Sequence, residues 1–228
     1  MKRPFVFINV AMSADGKIDT FERHGATISS AADKARVDQL RAGADAIMVG
    51  GHTVLDEDPK LTVKSPLLRA ERTARGTGEN PIKVAVVTRA EFRAASSFLT
   101  SGPARVLIFT TTQTAAQQVS RLKSAGIEVF VCGENRVDLA QTLETLYGLG
   151  VKRLMVEGGG TLNFELLRLG LVDELTAYVA PLIFGGASAP SMAAGDGLTR
   201  AGALALKLVE TRILDEDGGV LLRYALSK

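Results

Sequence analysis

Apolar positions along the chain follow two rhythms that alternate from beginning to end. Short runs that are apolar at nearly every position, such as residues 4–12 and 44–49, are typical of strands buried on both faces of a sheet. Between such runs, apolar residues return at helical spacing; the first of these stretches has Ser30 in the N-cap position and ends at Gly43. The alternation predicts an α/β protein whose central, mostly parallel sheet is flanked by helices.

The same pattern sets the predicted bounds of the later elements. Strands are predicted over residues 82–87, 106–109, 127–131, 153–156 and 174–180, and helices over residues 113–124 and 139–149. Residues 204–213 and 220–225 surround a polar turn and predict a closing antiparallel hairpin. Residues 65–80 are the most polar part and lack periodicity, so an irregular surface segment is predicted there. No repeat or low-complexity linker divides the chain, which predicts a single domain over residues 1–228.

A run of three glycines follows the strand predicted at residues 153–156. Glu157 ends the strand, then come Gly158, Gly159 and Gly160, and a helical pattern opens at Thr161. Residues without a Cβ let the backbone approach a ligand closely, and the N–H groups of a helix start favour an anion. The run is neither the dinucleotide fingerprint nor a P-loop, and a turn that serves packing only is the alternative. Because ligands bind at the carboxyl ends of strands in open α/β sheets, we expect a phosphate cradle.

A second strand exit has similar chemistry. Gly50 and Gly51 follow an apolar run, and Thr53 offers a hydroxyl near a predicted helix start. The carboxylates Glu57 and Asp58 come next, and with Asp15 and Asp19 they are of the type that binds Mg²⁺. Exposed loop carboxylates are much more common than a magnesium site, so no metal is predicted.

Composition and charge narrow the class of partner. The chain has 27 basic and 25 acidic residues, so its net charge of +2 predicts neither nucleic-acid nor membrane binding. Cys132 is the only cysteine, which excludes an intrachain disulfide and a Cys-based metal cluster. His24 and His52 are the only histidines, too few for a His-rich metal site. A reducing, cytoplasmic setting is expected. The apolar run at the start is broken by Asn9 and predicts a strand rather than a signal peptide.

The candidate chemistry favours hydride transfer over nucleophilic catalysis. The chain has no G-x-S-x-G elbow and no H-x-E with P-C-x-x-C of a zinc deaminase. Two glycine-rich exits with separate basic residues suit two anionic ligands or one ligand with two anionic ends. A pyridine dinucleotide with a phosphorylated substrate fits, because hydride transfer depends on positioning more than on a protein nucleophile. A nucleotide-binding regulatory protein without turnover would carry the same glycine exits.

Three stretches, in order, carry a family resemblance: NVAMSADGKI, then ISSAAD with RVDQLRAGADAIMVGGHTVLDEDPKLTVK, then RLMVEGGGTLNFELL. Together they resemble the riboflavin-biosynthesis pyrimidine reductases over most of the chain, which implies a dihydrofolate-reductase-like fold. The stretch TVKSPLLRAERTARGTGENP is similar to the stand-alone branch, which lacks the amino-terminal deaminase of the bifunctional branch. That branch reduces 2,5-diamino-6-ribosylamino-4(3H)-pyrimidinone 5′-phosphate with NADPH. The deaminated uracil analogue and a reduced pterin are alternative substrates.

The resemblance also implies residue roles and a homodimer. It implies cofactor contacts at Thr53, Glu57, Thr88, Gly158, Gly159, Gly160 and Thr161, and substrate contacts at Arg41, Leu61, Lys64 and Glu157. Glu157 is also the candidate proton donor, and Arg89 joins Thr88 as a candidate for the 2′-phosphate of NADPH. The chain departs from the family at Glu57, where aspartate is usual, and at Lys64, where arginine is frequent.

Overall fold

The computed structural model describes residues 2–226, which form two compact units. The first unit contains residues 2–5 and Asp38–Met155, and the second contains Val6–Val37 and residues 156–226. In chain order the strands are β1 Phe5–Ser13, β2 Ala46–Gly50, β3 Ile82–Val86, β4 Val106–Thr110, β5 Glu128–Val131, β6 Arg153–Val156, β7 Glu174–Ala180, β8 Leu206–Ile213 and β9 Val220–Leu226. The α-helices are α1 Ala31–Gly43, α2 Pro66–Ala74, α3 Ser97–Thr100, α4 Ala116–Ser124, α5 Leu139–Gly148 and α6 Gly160–Arg168.

The first unit is built on parallel strands in the order β5-β4-β3-β2-β6. Strand β3 pairs in parallel with both β2 and β4, so that Val84 lies opposite Met48 on one side and Leu107 on the other. Every residue of β2 and β4 is buried. Burial on both faces explains why these segments are apolar without alternation.

The second unit has the strand order β1-β7-β9-β8 and is mixed. Strand β1 pairs in parallel with β7, whereas β9 is antiparallel to both β7 and β8. The β8–β9 ladder has a register shift between Leu208 and Glu210. The predicted fold class, a mostly parallel α/β arrangement closed by a C-terminal antiparallel hairpin, is therefore confirmed. The prediction of one domain stays a prediction.

The prediction of an irregular segment over residues 65–80 is wrong, because α2 lies there. Ser65 caps this helix by accepting a hydrogen bond from the Leu68 N–H, and Pro66 occupies its first turn, where a missing N–H costs nothing. Arg72 is buried, and its guanidinium donates to the Ala42 and Ala44 carbonyls. In a sequence pattern an arginine indicates an exposed position, but Arg72 is buried because carbonyl groups accept hydrogen bonds from its guanidinium.

The remaining differences concern the ends of elements. Helix α4 begins at Ala116 rather than at residue 113, and β8 begins at Leu206 rather than at residue 204. The four-residue helix α3 was not predicted, since it is too short to show periodicity. None of the helices within residues 2–226 has the length and apolar content needed to cross a bilayer.

Candidate functional site

The glycine run of the second unit forms a sharp turn between β6 and α6. Gly158 is buried and has φ +101°, a conformation that L-residues rarely adopt, and the Gly158–Gly159 peptide bond is cis. Gly159 is the N-cap of α6, with φ −72° and ψ −174°. The first N–H groups of a helix have no acceptor within the helix, and together with the helix dipole they favour an anion. The predicted strand, glycine turn and helix are thus all present.

Gly160 lacks a Cβ for a different reason, which is packing. A Cβ built on Gly160 would lie 2.2 Å from the Ser191 carbonyl oxygen and 3.2 Å from the Ala194 Cβ. The Gly160 carbonyl oxygen also accepts a hydrogen bond of 3.0 Å from the Ala194 N–H. The side of Gly160 that bears no side chain is therefore occupied by protein. Gly159 has dihedral angles that other residues can adopt, so backbone conformation explains the glycine at 158 but not the one at 159.

Sequence reasoning missed the segment that covers the start of α6, residues 189–195. Its backbone accepts hydrogen bonds from Ile18 N at Pro190 and from the Asn163 amide at Met192. Gly195 lies against the Phe164 ring, and a Cβ built on Gly195 would be only 2.5 Å from Phe164 Cδ1. The available signal was the run of small residues in ASAPSMAAGDG, since small residues permit close contact between backbones.

Two other predicted site residues of this unit lie at the two ends of the same turn: Glu157, predicted to contact the substrate and donate a proton, and Thr161, predicted to contact the cofactor. Glu157, which follows β6 directly, is partly buried, and Thr161 in the first turn of α6 is exposed. A hydroxyl at this position can donate to the same anion as the backbone N–H groups.

In the first unit, the exit of β2 leads into a π-helical turn over Thr53–Glu57. Thr53 is buried at its start, and Glu57 is exposed at its end. Asp58 closes the turn with φ +49°, and Leu61 has φ +48°. Non-glycine residues with positive φ are strained and concentrate at functional sites, so two of them within four residues single out this segment.

The carboxylate of Asp58 caps a helix instead of facing solvent as a metal ligand would. It accepts hydrogen bonds from the Ser96 hydroxyl at 2.6 Å, from Ser97 N at 2.7 Å and from Phe98 N at 2.9 Å. Burial works to raise the pKa of Asp58, but these hydrogen bonds outweigh it and hold the pKa below its usual value.

Asp15 and Asp19, in the second unit, also accept hydrogen bonds from backbone N–H groups, here in loops. Asp15 accepts from Gly185 N at 2.7 Å, and Asp19 accepts from Gly25 N at 2.9 Å and Ala26 N at 2.8 Å. Within residues 2–226 no group of three or more His, Cys, Asp or Glu side chains is arranged to hold a metal ion.

Helix α1 brings two of the predicted substrate residues to one segment of the first unit. The Arg41 guanidinium donates to the Thr62 carbonyl oxygen at 3.1 Å, and the Lys64 N–H donates to Asp38 Oδ1 at 2.6 Å. The Lys64 side chain is exposed, and no hydrogen-bond or ion-pair partner lies near its ammonium group in residues 2–226. Leu61 is only 2% exposed, so its side chain packs into the unit. Among the predicted substrate-binding residues of this segment, Lys64 is thus the one with an exposed charged side chain.

A further cavity of the first unit lies where β3 and β4 end, and sequence reasoning missed it. Thr88 and Arg89 follow β3 and are exposed, and the Thr88 carbonyl oxygen accepts from the Thr111 hydroxyl at 2.8 Å. The cavity has a volume of about 320 Å³ and is lined by Arg89, Glu91, Phe92, Gln113, Thr114, Ala115 and Gln118. The signal that could have found it is the position of both loops at the carboxyl ends of adjacent parallel strands.

Comparison with known proteins finds chains that are similar over nearly the whole length. An Archaeoglobus fulgidus protein named 2,5-diamino-6-ribosylamino-4(3H)-pyrimidinone 5′-phosphate reductase is 43% identical over 198 residues, which are 87% of this chain and 90% of that protein. A Methanothermobacter thermautotrophicus protein of the same name is 41% identical over 217 residues, 94% of this chain and 95% of that protein. The structure of Acinetobacter baumannii RibD superposes with a TM-score of 0.80 at 26% identity, and the alignment covers 99% of this chain but 58% of RibD.

The match to a family covers nearly all of the chain. Residues 4–219 match the family described as the RibD C-terminal domain. This span includes the glycine turn, the π-helical turn and all the predicted site residues. The chain therefore belongs to the RibD C-terminal domain family.

Proposed function

We propose that the protein is the NADPH-dependent reductase of 2,5-diamino-6-ribosylamino-4(3H)-pyrimidinone 5′-phosphate in riboflavin biosynthesis. The observation that carries the proposal is the pair of archaeal relatives, which are over 40% identical across at least 90% of their own lengths and bear this reductase's name. A cytoplasmic location is part of the proposal, and the single free cysteine supports it.

The glycine turn supports the cofactor assignment. The N–H groups at the start of α6 and the exposed Thr161 hydroxyl have the chemistry to hold a pyrophosphate, and Gly159 leaves no side chain in the way. Thr53 and Glu57 of the π-helical turn, with Thr88 after β3, are further proposed contacts. Arg89, which lines the cavity beside Thr88, is the proposed partner of the 2′-phosphate that distinguishes NADPH from NADH. When bound, the cofactor supplies the hydride.

The chain's own groups would act on the substrate at its two ends. A ribosylamine opens to an imine, whose C1′ accepts a hydride while its nitrogen accepts a proton, and the product is the ribitylamine. Glu157 or an ordered water would supply that proton. Lys64, with Arg41 nearby on α1, would bind the 5′-phosphate, because an ammonium group and a guanidinium both form charge-assisted hydrogen bonds with phosphate.

Steady-state kinetics of Lys64→Ala test the phosphate assignment. Removing one charge should lower kcat/KM for the phosphorylated substrate by about tenfold to a hundredfold, as expected for a charge-assisted hydrogen bond of roughly 1.5–3 kcal/mol. The dephosphorylated substrate should be reduced at nearly the wild-type rate. Arg41→Ala is a less specific variant, because its guanidinium also holds the Thr62 carbonyl. Equal losses on both substrates would refute the assignment.

The same assays separate the alternatives. Stoichiometric oxidation of NADPH with the diaminopyrimidinone substrate distinguishes an enzyme from a binding protein without turnover. Reduction of the deaminated analogue alone would place the chain on the other branch. Dissociation constants for NADPH and NADH test the cofactor preference, and Arg89→Ala should narrow the difference between them.

A homodimer is also part of the proposal. Strand β8 is exposed along almost its whole length and forms the edge of the strand order in the second unit. An apolar edge strand in such a position favours association with another chain.

A further inference from the structure

One continuous segment, residues 53–65, carries most of the proposed binding residues of the first unit. Its first half is the π-helical turn with Thr53 and Glu57, and its second half contains Leu61 and Lys64. The two halves meet at residues 58–61, where Asp58 and Leu61 both have positive φ. Asp58 connects the first half to α3, and Asp38, which lies on α1, holds the second half.

Asp58 attaches the first half to α3. Its Oδ1 accepts from the Ser96 hydroxyl and Phe98 N, and its Oδ2 accepts from Ser97 N. Helix α3 is in turn fixed at its other end, because the buried Lys83 Nζ donates to the Phe98 carbonyl at 2.9 Å and to the Ser101 carbonyl at 2.5 Å. The end of the π-helical turn is therefore connected to strand β3 through two charged groups.

Asp38 attaches the second half to α1. Its Oδ1 accepts from Lys64 N at 2.6 Å, and its Oδ2 accepts from Ser65 N at 2.8 Å. Asp38 is only 8% exposed, which shields these bonds from water. Asn80 adds a third contact by accepting from Val63 N at 2.9 Å. None of these contacts involves Asp58 or α3, so the second half is held independently of the first.

We propose that Asp58 and Asp38 are positioning residues that act on different ligands. Asp58 holds the half of the segment that presents Thr53 and Glu57 to the cofactor, and Asp38 holds the half that presents Lys64 to the substrate phosphate. The inference rests on the proposed function, and it adds two residues that touch neither ligand. Small displacements of binding groups weaken binding steeply, so each substitution should affect one ligand much more than the other.

The test is a crossed comparison of Asp58→Asn and Asp38→Asn. Asparagine is close in size, and it tolerates the positive φ at position 58 better than most non-glycine residues, but its amide replaces one acceptor with a donor. Asp58→Asn should raise the dissociation constant for NADPH about tenfold and change the KM of the phosphorylated substrate less than twofold. Asp38→Asn should raise that KM about tenfold and leave NADPH binding nearly unchanged.

Asp138→Ala is the matched control for a general loss of stability. Asp138 caps α5 by accepting from Gln141 N at 2.9 Å, and it lies outside residues 53–65 and the helices that hold them. Its removal should lower the melting temperature without changing either ligand constant. If Asp58→Asn does not fold, Ser96→Ala leaves the Asp58 carboxylate in place, removes its hydroxyl donor together with the α3 cap that accepts from Leu99 N, and should weaken NADPH binding in the same selective way.

The outcomes separate this inference from the proposed function. The inference would be overturned if, in active proteins, both substitutions changed the NADPH dissociation constant and the substrate KM equally, or changed neither. A wild-type protein that neither binds NADPH nor reduces the substrate would instead refute the proposed function.

Discussion

Gly158, with φ +101°, has a backbone conformation that is strained for any L-residue, although no atom lies within 4 Å of where its Cβ would be. Gly160 has the opposite constraint, because a Cβ there would collide with the Ser191 carbonyl oxygen. Gly159 has φ −72°, which any residue can adopt, and its constraint is the N-cap position of α6, where glycine is accepted and alanine is disfavoured. At the residue scale, the three glycines therefore predict three different mutational outcomes.

Alanine substitutions should separate stability from cofactor binding. Gly158→Ala should destabilise the protein by about 1–2 kcal/mol through backbone strain, and Gly160→Ala by about 1–3 kcal/mol through overpacking. Gly159→Ala should destabilise the protein by only about 0.5–1 kcal/mol, because alanine is a poorer N-cap than glycine, and should weaken NADPH binding, because a methyl group would stand where the pyrophosphate approaches. Thermal melts with NADPH titrations measure both effects. A folded Gly159→Ala protein with wild-type NADPH affinity would contradict the proposed pyrophosphate site.

At the element scale, short helices of the first unit are held by buried charges as much as by apolar packing. Arg72 of α2 donates to the carbonyls of Ala42 and Ala44, near the end of α1, and Lys83 of β3 donates to the carbonyls at the end of α3. Cations are favoured at helix C-termini, where carbonyl groups lack partners. These charges explain how a nine-residue and a four-residue helix keep fixed positions.

The buried Lys83 predicts a pH dependence of stability. Burial lowers its pKa from 10.5 to about 8, against the attraction of Asp58, which raises it. A lysine with a depressed pKa binds fewer protons when folded than when unfolded between these two values. The free energy of unfolding should therefore rise as the pH increases from about 8 to 10.5, by roughly 3 kcal/mol for this group alone.

Comparison with Lys83→Met isolates that contribution. Methionine fills similar space and does not titrate. Across the alkaline range, the free energy of unfolding of the wild type should therefore rise relative to that of the variant. Chemical denaturation at pH 7 and pH 10 measures it. If the two free energies of unfolding differ by the same amount at both pH values, burial does not lower the pKa of Lys83.

At the scale of the whole molecule, the closing hairpin bears the clearest surface for self-association. Leu208 and Ile213 of β8 are 51% and 75% exposed, and Leu206 and Val209 are also exposed. Soluble proteins rarely leave a long apolar edge strand uncovered. The proposed homodimer would cover it with a second copy of the chain.

Sedimentation of charged variants tests the dimer. The wild type should sediment as a dimer at micromolar concentration, and Leu208→Lys combined with Ile213→Lys should sediment as a monomer, because buried lysines would lose hydration without gaining partners. Leu67→Lys is the control, since Leu67 on α2 is 69% exposed and lies outside the hairpin. A monomeric wild type, or a dimer that survives the double substitution, would refute this interface.

The sequence by itself determined the order of strands and helices and the places where ligands are expected. Apolar runs marked β6 and β7 to the residue, because a strand buried on both faces can contain little else. The glycine run marked the turn before α6, because glycines between an apolar run and a helical pattern are typical of a strand-to-helix turn. The family resemblance then added residue roles that periodicity cannot provide.

Only the tertiary structure decided which neighbours each polar group has. It showed that Arg72 is buried on a helix, α2, because the Ala42 and Ala44 carbonyls that its guanidinium contacts, at the end of α1 and just after it, are distant in sequence. It assigned Gly160 to packing against residues 191–194, about thirty residues further along the chain. It also turned Asp58 and Asp38 from loop and helix carboxylates into anchors of the binding segment. A local pattern records how polar a residue is, whereas the partner that satisfies it comes from contacts that form only when the chain folds.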